Sequence, residues 1–503
     1  MSKLLFGQSY YLHFDPKLWE AMQPYPPLGT MYAASYMREQ GHEVALFDAM
    51  LAESEDEWAQ ALERENPKYA IIYEDNFNYL SKMCLLRMRQ AAFTMIGMAR
   101  ERGCTVIVTG SDASDHSAAY LGRGADFVLI GEGEYTLAEL LNSLEKQNDF
   151  SSIFGLAYKD GSEIKVNPRR PDIKDLDSLP FPAWDLINVK KYKAVWLERH
   201  GYFSMNMVTT RGCPYHCNWC AKPIWGQRYN ARSPENVAEE MRWLKENYAP
   251  DHIWFADDIF GLKPGWLPRF ADVVEELDAA TPFKCLNRAD LLLREGEIEA
   301  LAKAGCEITW IGAESGAQHI LDAMDKGTQV EQIYQVSQAI HEAGFQVAFF
   351  LQFGYPGETR ADIEKTIQML RDCQPDDIGI SVSYPLPGTK FYQAVEGQLG
   401  IKQNWVDSSD LDMMYQGPFA TDFYRKLHTV IHKEYRAAKI WKRLKKAQRV
   451  TFRQVAVIIY YWLSLPMERL RLKRLETLPH QSMGPLPQIL SPEAAAQPSP
   501  QNE

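Results

Sequence analysis

The stretch TTRGCPYHCNWCAKP, Thr209 to Pro223, holds three of the eight cysteines of this 503-residue chain. Cys213, Cys217 and Cys220 follow one another as C-x-x-x-C-x-x-C in one short loop. Three thiolates so close along the chain suit three irons of one cubane cluster, whose fourth iron then lacks a protein ligand. Zinc is the alternative, with His216 as fourth ligand, but His216 lies between two of the cysteines, where tetrahedral closure is awkward.

The composition predicts a large folded protein of two or three domains. The chain is 46% hydrophobic and 24% charged, which is typical of globular proteins. The N-terminal sequence MSKLLFGQSYYLHF lacks a basic stretch followed by a long apolar run, so we expect a cytoplasmic protein. The remaining cysteines are isolated, and we predict small buried side chains for Cys84, Cys104, Cys285, Cys306 and Cys373.

From residue 1 to 147, short apolar runs alternate with helical patterns. The runs are KLLFGQ, HEVALFD, YAIIYED, TVIVTG and DFVLIGEGE. This order predicts an α/β domain with a doubly wound parallel sheet. Such sheets bind ligands outside the carboxyl ends of their strands. No Gly-x-Gly-x-x-Gly follows the first strand, so the sequence gives little support for a dinucleotide.

Two further regions complete the predicted architecture. Residues 148–202 form a linker with a hairpin that turns at Asp160-Gly161 and a Pro-rich end, LPFPAWDL. From 203 to 395, six strand-like runs alternate with helical patterns, which predicts a second domain built as a partial (β/α)6 barrel. Chemistry in such barrels lies at the carboxyl ends of the strands, and the cysteine loop directly follows the first of these strands.

The region from 396 to 478 is predicted to be helical and basic. Between Arg425 and Arg474 there are 15 Lys or Arg against two acids, which gives +13 in a chain whose net charge is -12. The apolar run VAVIIYYWLSL, 455–465, is too short to span a bilayer, which needs about 20 residues. It is either a helix packed on the barrel or an interfacial helix at the inner face of a membrane. Residues 479–503 are Pro-rich and predicted to be disordered.

The motif RGCPYHCNWC resembles that of the radical S-adenosylmethionine (SAM) superfamily. The resemblance implies that Cys213, Cys217 and Cys220 hold a [4Fe-4S] cluster whose open iron binds SAM. One electron, from a reductant such as flavodoxin or ferredoxin, then cleaves SAM to methionine and a 5'-deoxyadenosyl radical.

The same resemblance extends through most of residues 203–395, on the segments WFADDIF, IGAESG, FGYPGET and YPLPGTKFY. It implies that SAM is contacted at its amine by Asp257 and Asp258, at its ribose by Glu314 and Ser315, at its carboxylate by Arg288, and elsewhere by Trp219, Gly354 and Gly357. Three alternatives stay open: a helix N-cap for the aspartates, a structural salt bridge for Arg288, and loop packing for Trp219.

The N-terminal region resembles the cobalamin-binding domain that precedes the radical domain in one subgroup. The matching stretches are PYPPLGTMYAASYMREQGHEVALFDA, GADFVLIGEGEYTLAELL and PFPAWDLI. The resemblance implies cobalamin at Gly29, Asn76, Gly110, Ser111, Gly131 and Glu132. The Asp-x-His-x-x-Gly signature is absent, because Asp115-His116 has a different spacing, so cobalt would be bound without a histidine from that motif. The alternative is a Rossmann-like domain that serves only as a scaffold.

Together these resemblances imply methylation of an unactivated carbon, with a lipid-like or polycyclic small molecule as substrate. Oxidative chemistry on a tetrapyrrole, as in the anaerobic cyclase of chlorophyll precursors, shares every motif and stays open. The basic segment 425–474 suggests peripheral membrane contact or nucleic-acid binding. Nucleic acid is disfavoured, because the aromatic residues Trp441, Tyr460, Tyr461 and Trp462 cluster instead of interleaving with the basic residues.

Overall fold

The protein is described by a computed structural model that covers residues 3–77, 86–146, 149–222, 224–399, 411–445 and 451–476. The chain divides into two compact units. The first comprises Met1–Pro214, Lys222–Leu286 and Glu299–Glu307, and the second comprises Tyr215–Ala221, Asn287–Ile298 and Ile308–Glu503. The predictions for Cys84 and for the tail from 479 to 503 lie outside the described residues.

A sheet of seven strands begins the first unit. In chain order the strands are β1 (Lys3–Gly7), β2 (Glu43–Leu46), β3 (Tyr69–Tyr73), β4 (Thr105–Thr109), β5 (Phe127–Leu129), β6 (Leu156–Asp160) and β7 (Glu163–Val166). They are ordered β2-β1-β3-β4-β5-β6-β7. The first five pair in parallel, which confirms the predicted fold class. The hairpin β6-β7, which the sequence placed in a linker, extends this sheet by antiparallel pairing with β5.

Both faces of this sheet are covered, as strand alternation requires. On β1, Leu5 belongs to one buried apolar cluster, whereas Leu4 and Phe6 belong to the other. The helices of this unit are Pro16–Ala21, Leu28–Glu39, Asp56–Glu65, Leu86–Glu101, Ser111–Asp115, Ser117–Gly122, Glu134–Lys146, Val189–His200, Pro234–Tyr248 and Trp266–Glu276.

The region from 203 to 395 contains a parallel sheet of six strands, which confirms the second predicted βα domain architecture. The strands are β8 (Ser204–Met207), β11 (His252–Phe255), β12 (Phe283–Asn287), β13 (Cys306–Glu314), β14 (Gln346–Phe353) and β15 (Asp377–Val382). Two short strands, β9 (Thr210–Arg211) and β10 (Asn230–Ala231), pair separately and antiparallel. The helices that follow β12 are Ala289–Leu292, Glu297–Ala304, Gln318–Ala323, Val330–Ala343, Arg360–Cys373 and Lys390–Val395.

Two helices of 25 residues each, Thr421–Lys445 and Phe452–Glu476, end the described chain and pack against each other. This confirms the helical C-terminal region. Among the described residues, no helix combines the length and apolar character needed to cross a bilayer.

Four of the isolated cysteines, Cys104, Cys285, Cys306 and Cys373, are buried and form no disulfide, as predicted. The three cysteines of the loop after β9 also form no disulfide, but they are only partly buried. The two sets therefore differ in access as well as in spacing.

Candidate cofactor-binding sites

Asp257 fixes the chain that leads into the cysteine loop. Its buried carboxylate, just after β11, accepts hydrogen bonds from the backbone N–H groups of Thr209 (2.8 Å) and Thr210 (2.7 Å). It also accepts from both hydroxyls, at 2.8 and 2.9 Å. Burial raises the pKa of Asp257 to about 6 against the opposing effect of these hydrogen bonds. The structure thus uses Asp257 to hold the strand end, whereas Asp258 is exposed and stays the predicted contact to the SAM amine.

The cysteine loop itself begins at a position that only glycine tolerates. Gly212 has a φ of 81°, and a Cβ atom there would lie 2.4 Å from the carbonyl oxygen of Arg228. Within the part of the chain that the structure describes, no three His, Cys, Asp or Glu side chains converge on one metal-ion position. A cubane cluster needs no such convergence, because each thiolate binds a different iron.

Arg211, two residues before Cys213, lies buried between two carboxylates of the GEGE segment. Its Nη1 is 2.7 Å from Glu132 Oε1 and its Nη2 is 2.7 Å from Glu134 Oε1. Glu132 also accepts from the backbone N–H of Ile173 (2.6 Å) and from Trp225 Nε1 (3.1 Å). Burial raises the pKa of Glu132. The carboxylate of Glu132 is therefore used within the protein, and its contact with cobalamin stays a prediction.

The predicted cobalamin residues gather at the carboxyl edge of the first sheet. The Gly29 N–H donates to Asp75 Oδ1 (3.0 Å) at the start of a helix. Gly110 has a φ of 147°, and a Cβ atom there would lie 2.7 Å from the side chain of Glu74. Ser111 is buried just after it, and Gly131, with a φ of 82°, follows β5. Both glycines are explained by backbone geometry at the strand ends.

Three buried polar atoms at this edge have no hydrogen-bond partner among the described residues. They are Gln8 Nε2 after β1, Asn76 Oδ1 after β3 and Glu134 Oε2 after β5. Each such atom costs about 1–3 kcal/mol, so the edge fits a ligand that carries many amide groups, as cobalamin does. The small pocket lined by Gly29, Asn76 and Glu132 measures about 10 Å³. It has room for one water molecule, so a corrin ring would have to lie outside this pocket.

In the second unit, a buried ion pair lies beside the cysteine loop. Lys326 Nζ is 2.8 Å from Glu314 Oε1, at the end of β13. Burial alone would lower the pKa of Lys326, but Glu314 and the neighbouring Cys217 raise it, so the lysine is held charged. Glu314 has a φ of 56°, which is strained for a residue other than glycine. Sequence reasoning missed Lys326, because nothing in MDKGT distinguishes it from a surface lysine.

Arg288 makes the structural salt bridge that the sequence left open. Its Nε is 3.0 Å from Asp290 Oδ1, and its Nη2 donates to the backbone carbonyl of Lys326 (2.9 Å). The guanidinium also lies over the ring of Tyr215, 3.6 Å from its centroid. These contacts fix the side chain next to the tyrosine of the CPYHC segment. A contact to the SAM carboxylate stays a prediction for Arg288.

The remainder of IGAESG is explained largely by packing. Ser315 is fully buried, and its Oγ accepts from the backbone N–H of Ala317 (3.2 Å) and lies 3.4 Å from Thr366 Oγ1. A Cβ atom on Gly316 would lie 2.5 Å from the carbonyl oxygen of Lys365, so glycine lets the helix Arg360–Cys373 approach. The ribose contact of Ser315 stays a prediction.

The turn FGYPGET after β14 is held from both sides. Glu358 Oε2 accepts the Gly354 N–H (2.7 Å), and the Tyr415 hydroxyl donates to the Gly354 carbonyl. Burial raises the pKa of Glu358 to about 8. Thr359 caps the following helix in a capping box with Asp362. Glu358, which sequence reasoning missed, sets the conformation of this turn.

Unpartnered buried atoms also occur in the second unit. Glu358 Oε1 and Trp219 Nε1 have no hydrogen-bond partner within the described ranges. Gly354 and Gly357 have φ values of 81° and 85°, a backbone conformation that favours glycine. The unpartnered acceptor and donor fit the amine and carboxylate groups of SAM.

Asp257→Ala removes four hydrogen bonds from the strand end before the cysteine loop. We expect a loss of about 3 kcal/mol or more in the free energy of unfolding, seen as a lower thermal midpoint and lower iron content after reconstitution. Asp258→Ala is the matched control and should stay within about 0.5 kcal/mol of wild type. Equal stability of the two variants would show that Asp257 does not hold the strand end.

The buried carboxyl group of Glu74, just after β3, makes the free energy of unfolding depend on pH. Burial raises its pKa from 4.5 to about 7, although Ser9 donates to it from N–H and hydroxyl. Between these two pH values the folded state binds the proton more tightly, so the free energy of unfolding falls as pH rises. We expect Glu74→Gln to gain stability relative to wild type between pH 5 and pH 8, by up to about 3 kcal/mol. Exposed Glu63→Gln should show no such trend in thermal melts.

Comparison with known proteins agrees with this geometry. A family model for the radical SAM superfamily matches residues 207–370, and one for the B12 binding domain matches residues 19–141. An uncharacterised methyltransferase of Pyrococcus horikoshii is 27% identical over 77% of this chain and 82% of its own length. The anaerobic magnesium-protoporphyrin IX monomethyl ester cyclase of Cereibacter sphaeroides is 30% identical over 56% of this chain and 47% of its own length. The hopanoid C-3 methylase of Methylococcus capsulatus is 26% identical over 74% of this chain and 69% of its own length.

A solved structure shares the fold. The cobalamin-dependent S-adenosylmethionine radical enzyme OxsB, with aqua-cobalamin bound, superimposes with a TM-score of 0.72 at 18% identity, over 94% of this chain and 72% of that one. The two family models imply a [4Fe-4S] cluster with SAM and a bound cobalamin. The chain therefore contains a radical SAM domain, residues 207–370, that follows a B12-binding domain, residues 19–141.

Proposed function

We propose that this enzyme is a cobalamin-dependent radical SAM methyltransferase that acts on an unactivated carbon of a lipid-like or polycyclic small molecule. The observation that carries the proposal is the presence of both domains in one chain, with Arg211 buried between Glu132 and Glu134. This ion pair joins the end of the B12-binding sheet to the strand before Cys213.

When bound, the cluster with one SAM would supply a 5'-deoxyadenosyl radical that abstracts hydrogen, and cobalamin would supply a methyl group drawn from a second SAM, which is released as S-adenosylhomocysteine. The chain's own residues hold and orient these groups. Cys213, Cys217 and Cys220 are the proposed cluster ligands. For SAM we propose Trp219, Asp258, Arg288, Glu314, Ser315, Gly354 and Gly357, to which the structure suggests adding Lys326 and Glu358.

For cobalamin we propose the edge of the first sheet, at Gly29, Asn76, Gly110, Ser111, Gly131 and Glu132. The unpartnered atoms of Gln8 and Glu134 suggest two further contacts. Because no histidine stands at the usual signature position, we propose that cobalt is bound without a histidine from that motif.

The substrate class rests on the relatives. The hopanoid C-3 methylase supports a lipid-like polycyclic substrate, and the anaerobic cyclase supports a tetrapyrrole. We propose flavodoxin or ferredoxin as the source of the electron, and the inner face of a membrane as the place where the enzyme meets its substrate. The basic segment 425–474 is the observation that supports this location.

Oxidation without methyl transfer is the second candidate. Its support is the 30% identity to the cyclase over 295 aligned residues. That match covers less than half of the cyclase, whereas the match to the methyltransferase of Pyrococcus horikoshii covers most of that protein. Methyl transfer is therefore the proposal we favour.

Mass spectrometry of the products of SAM distinguishes the two candidates. We expect anaerobically reconstituted enzyme, with hydroxocobalamin, a strong reductant and a lipid extract, to form 5'-deoxyadenosine together with S-adenosylhomocysteine. Cys217→Ala should form no 5'-deoxyadenosine, because one of the three proposed cluster ligands is missing. Cys373→Ala, which changes a buried cysteine outside the loop, is the control and should retain both products.

The two products report on different parts of the proposal. Formation of 5'-deoxyadenosine alone, with a substrate that is consumed, would contradict methyl transfer and support oxidation. Retention of SAM cleavage by Cys217→Ala would contradict the role of the cysteine loop itself.

A further inference from the structure

The helix Phe452–Glu476 has two unlike faces. Its inner face packs on the helix Thr421–Lys445 and buries Ile458, Leu465 and Leu472. These residues recur every seven positions, which is the spacing of one helix face over two turns. The inner face thus accounts for the packing of this helix on the protein.

The opposite face is apolar and exposed to water. We call it the outer stripe, and its exposed fractions are 90% for Phe452, 51% for Ile459, 76% for Leu463, 55% for Met467 and 62% for Leu470. The stripe follows the helical period and is about 27 Å long, at 1.5 Å per residue. A helix that faces only water is normally polar on this side, so the outer stripe requires a partner.

The charges around the outer stripe are almost all positive. The two acids of segment 425–474 are held within the protein. Glu468 pairs with Lys426 (2.8 Å) and Lys433 (3.0 Å), and Glu434 pairs with Arg371 (2.6 Å) and Arg469 (2.7 Å). Lysines and arginines are exposed on both helices, at Lys442, Lys445, Arg453, Arg471 and Lys473.

Aromatic side chains stand beside this surface. The rings of Trp441 and Trp462 are 5.4 Å apart, and both side chains are largely exposed, as is Tyr460. Tryptophan and tyrosine with an apolar body and a polar edge are typical of the boundary between lipid headgroups and acyl chains.

We infer that the outer stripe is a docking surface for an anionic lipid bilayer, in which the helix Phe452–Glu476 lies along the interface. The apolar residues enter the headgroup region and the flanking basic residues attract anionic lipids. This inference names the residues of a membrane contact, and it is independent of the reaction and of the cofactors.

The positive charge around the outer stripe favours an anionic bilayer over a second copy of the chain. Two copies that met through their outer stripes would bring together two segments of +13, and like charges across an interface oppose association. An anionic bilayer offers the complementary sign and an apolar layer at once.

Vesicle flotation of the reconstituted holoenzyme tests the inference. We expect the enzyme to float with phosphatidylcholine vesicles that contain 30% phosphatidylglycerol, at least about tenfold more than with phosphatidylcholine alone. Leu463→Gln combined with Leu470→Gln should lower the bound fraction about tenfold or more, because the apolar contact is lost. Arg453→Gln combined with Lys473→Gln should lower binding to the anionic vesicles and leave the weak binding to neutral vesicles unchanged.

The matched control is Ile164→Gln combined with Val166→Gln, which removes two exposed apolar side chains from β7 and should not change flotation. All variants should keep the thermal midpoint and iron content of wild type. Absence of flotation by wild type, or equal flotation by the double leucine variant, would overturn the inference.

Two other occupants have distinct signatures. A dimer that the double leucine variant dissociates, measured by light scattering without vesicle binding, would assign the stripe to a second copy. Flotation that appears only after deletion of 477–503 would assign it to the chain's own end. Either result would overturn docking of the intact enzyme to lipid.

Discussion

The buried contact of Arg211 with Glu132 and Glu134 is the constraint on which the first unit depends. One cation faces two carboxylates where water is excluded, so removal of the arginine would leave two buried charges unpaired, at a cost of several kcal/mol. Strand β9 has only two residues, so few backbone hydrogen bonds to its partner strand hold it in place. Its position is set instead by side chains, because Arg211 is held by the GEGE segment while Thr209 and Thr210 are held by Asp257. Cys213 thus follows a strand end that is fixed on two sides.

The strand ends contain two kinds of polar group, and the difference separates structural residues from candidates for ligand contacts. Asp257 and Glu74 have their oxygens filled by nearby donors of the chain, so they stabilise turns. Gln8, Asn76 and Glu134 each keep a buried atom with no protein partner in the described ranges. A ligand that satisfies such atoms recovers the free energy lost on their burial. For this reason Gln8, Asn76 and Glu134 are better candidates for ligand contacts than Glu132 of the GEGE segment.

The sequence predicted the two parallel sheets because alternating apolar runs and helical patterns are local signals. Pairing at a sheet edge is not local, so the hairpin β6-β7 was assigned to a linker although its first residues, Leu156 to Tyr158, are buried against β5. The cysteine loop could be proposed as a cluster site from the sequence because its spacing itself indicates that chemistry. The sequence does not single out Arg211 or Lys326, because their roles depend on carboxylates elsewhere in the chain. These carboxylates lie 77 and 79 positions from Arg211 and 12 positions from Lys326. The motif glycines are ambiguous in the sequence, because Gly316 is required by helix packing, whereas Gly354 has a positive φ in a turn that Met413 and Tyr424 crowd.

The C-terminal helices show how the fold can present an apolar surface to lipid without losing order. The acidic residues Glu434 and Glu468 face inward and join the helix Phe452–Glu476 to its neighbours through four cations. The hydrogen bonds from Lys426 and Lys433 lower the pKa of Glu468 to about 2 against the opposing effect of burial, so these ion pairs persist over the physiological pH range. A disordered amphipathic segment has to fold when it binds, and that ordering opposes binding. Here the helix is already fixed, with its outer stripe exposed, so the apolar contact with lipid contributes to affinity without this entropic cost.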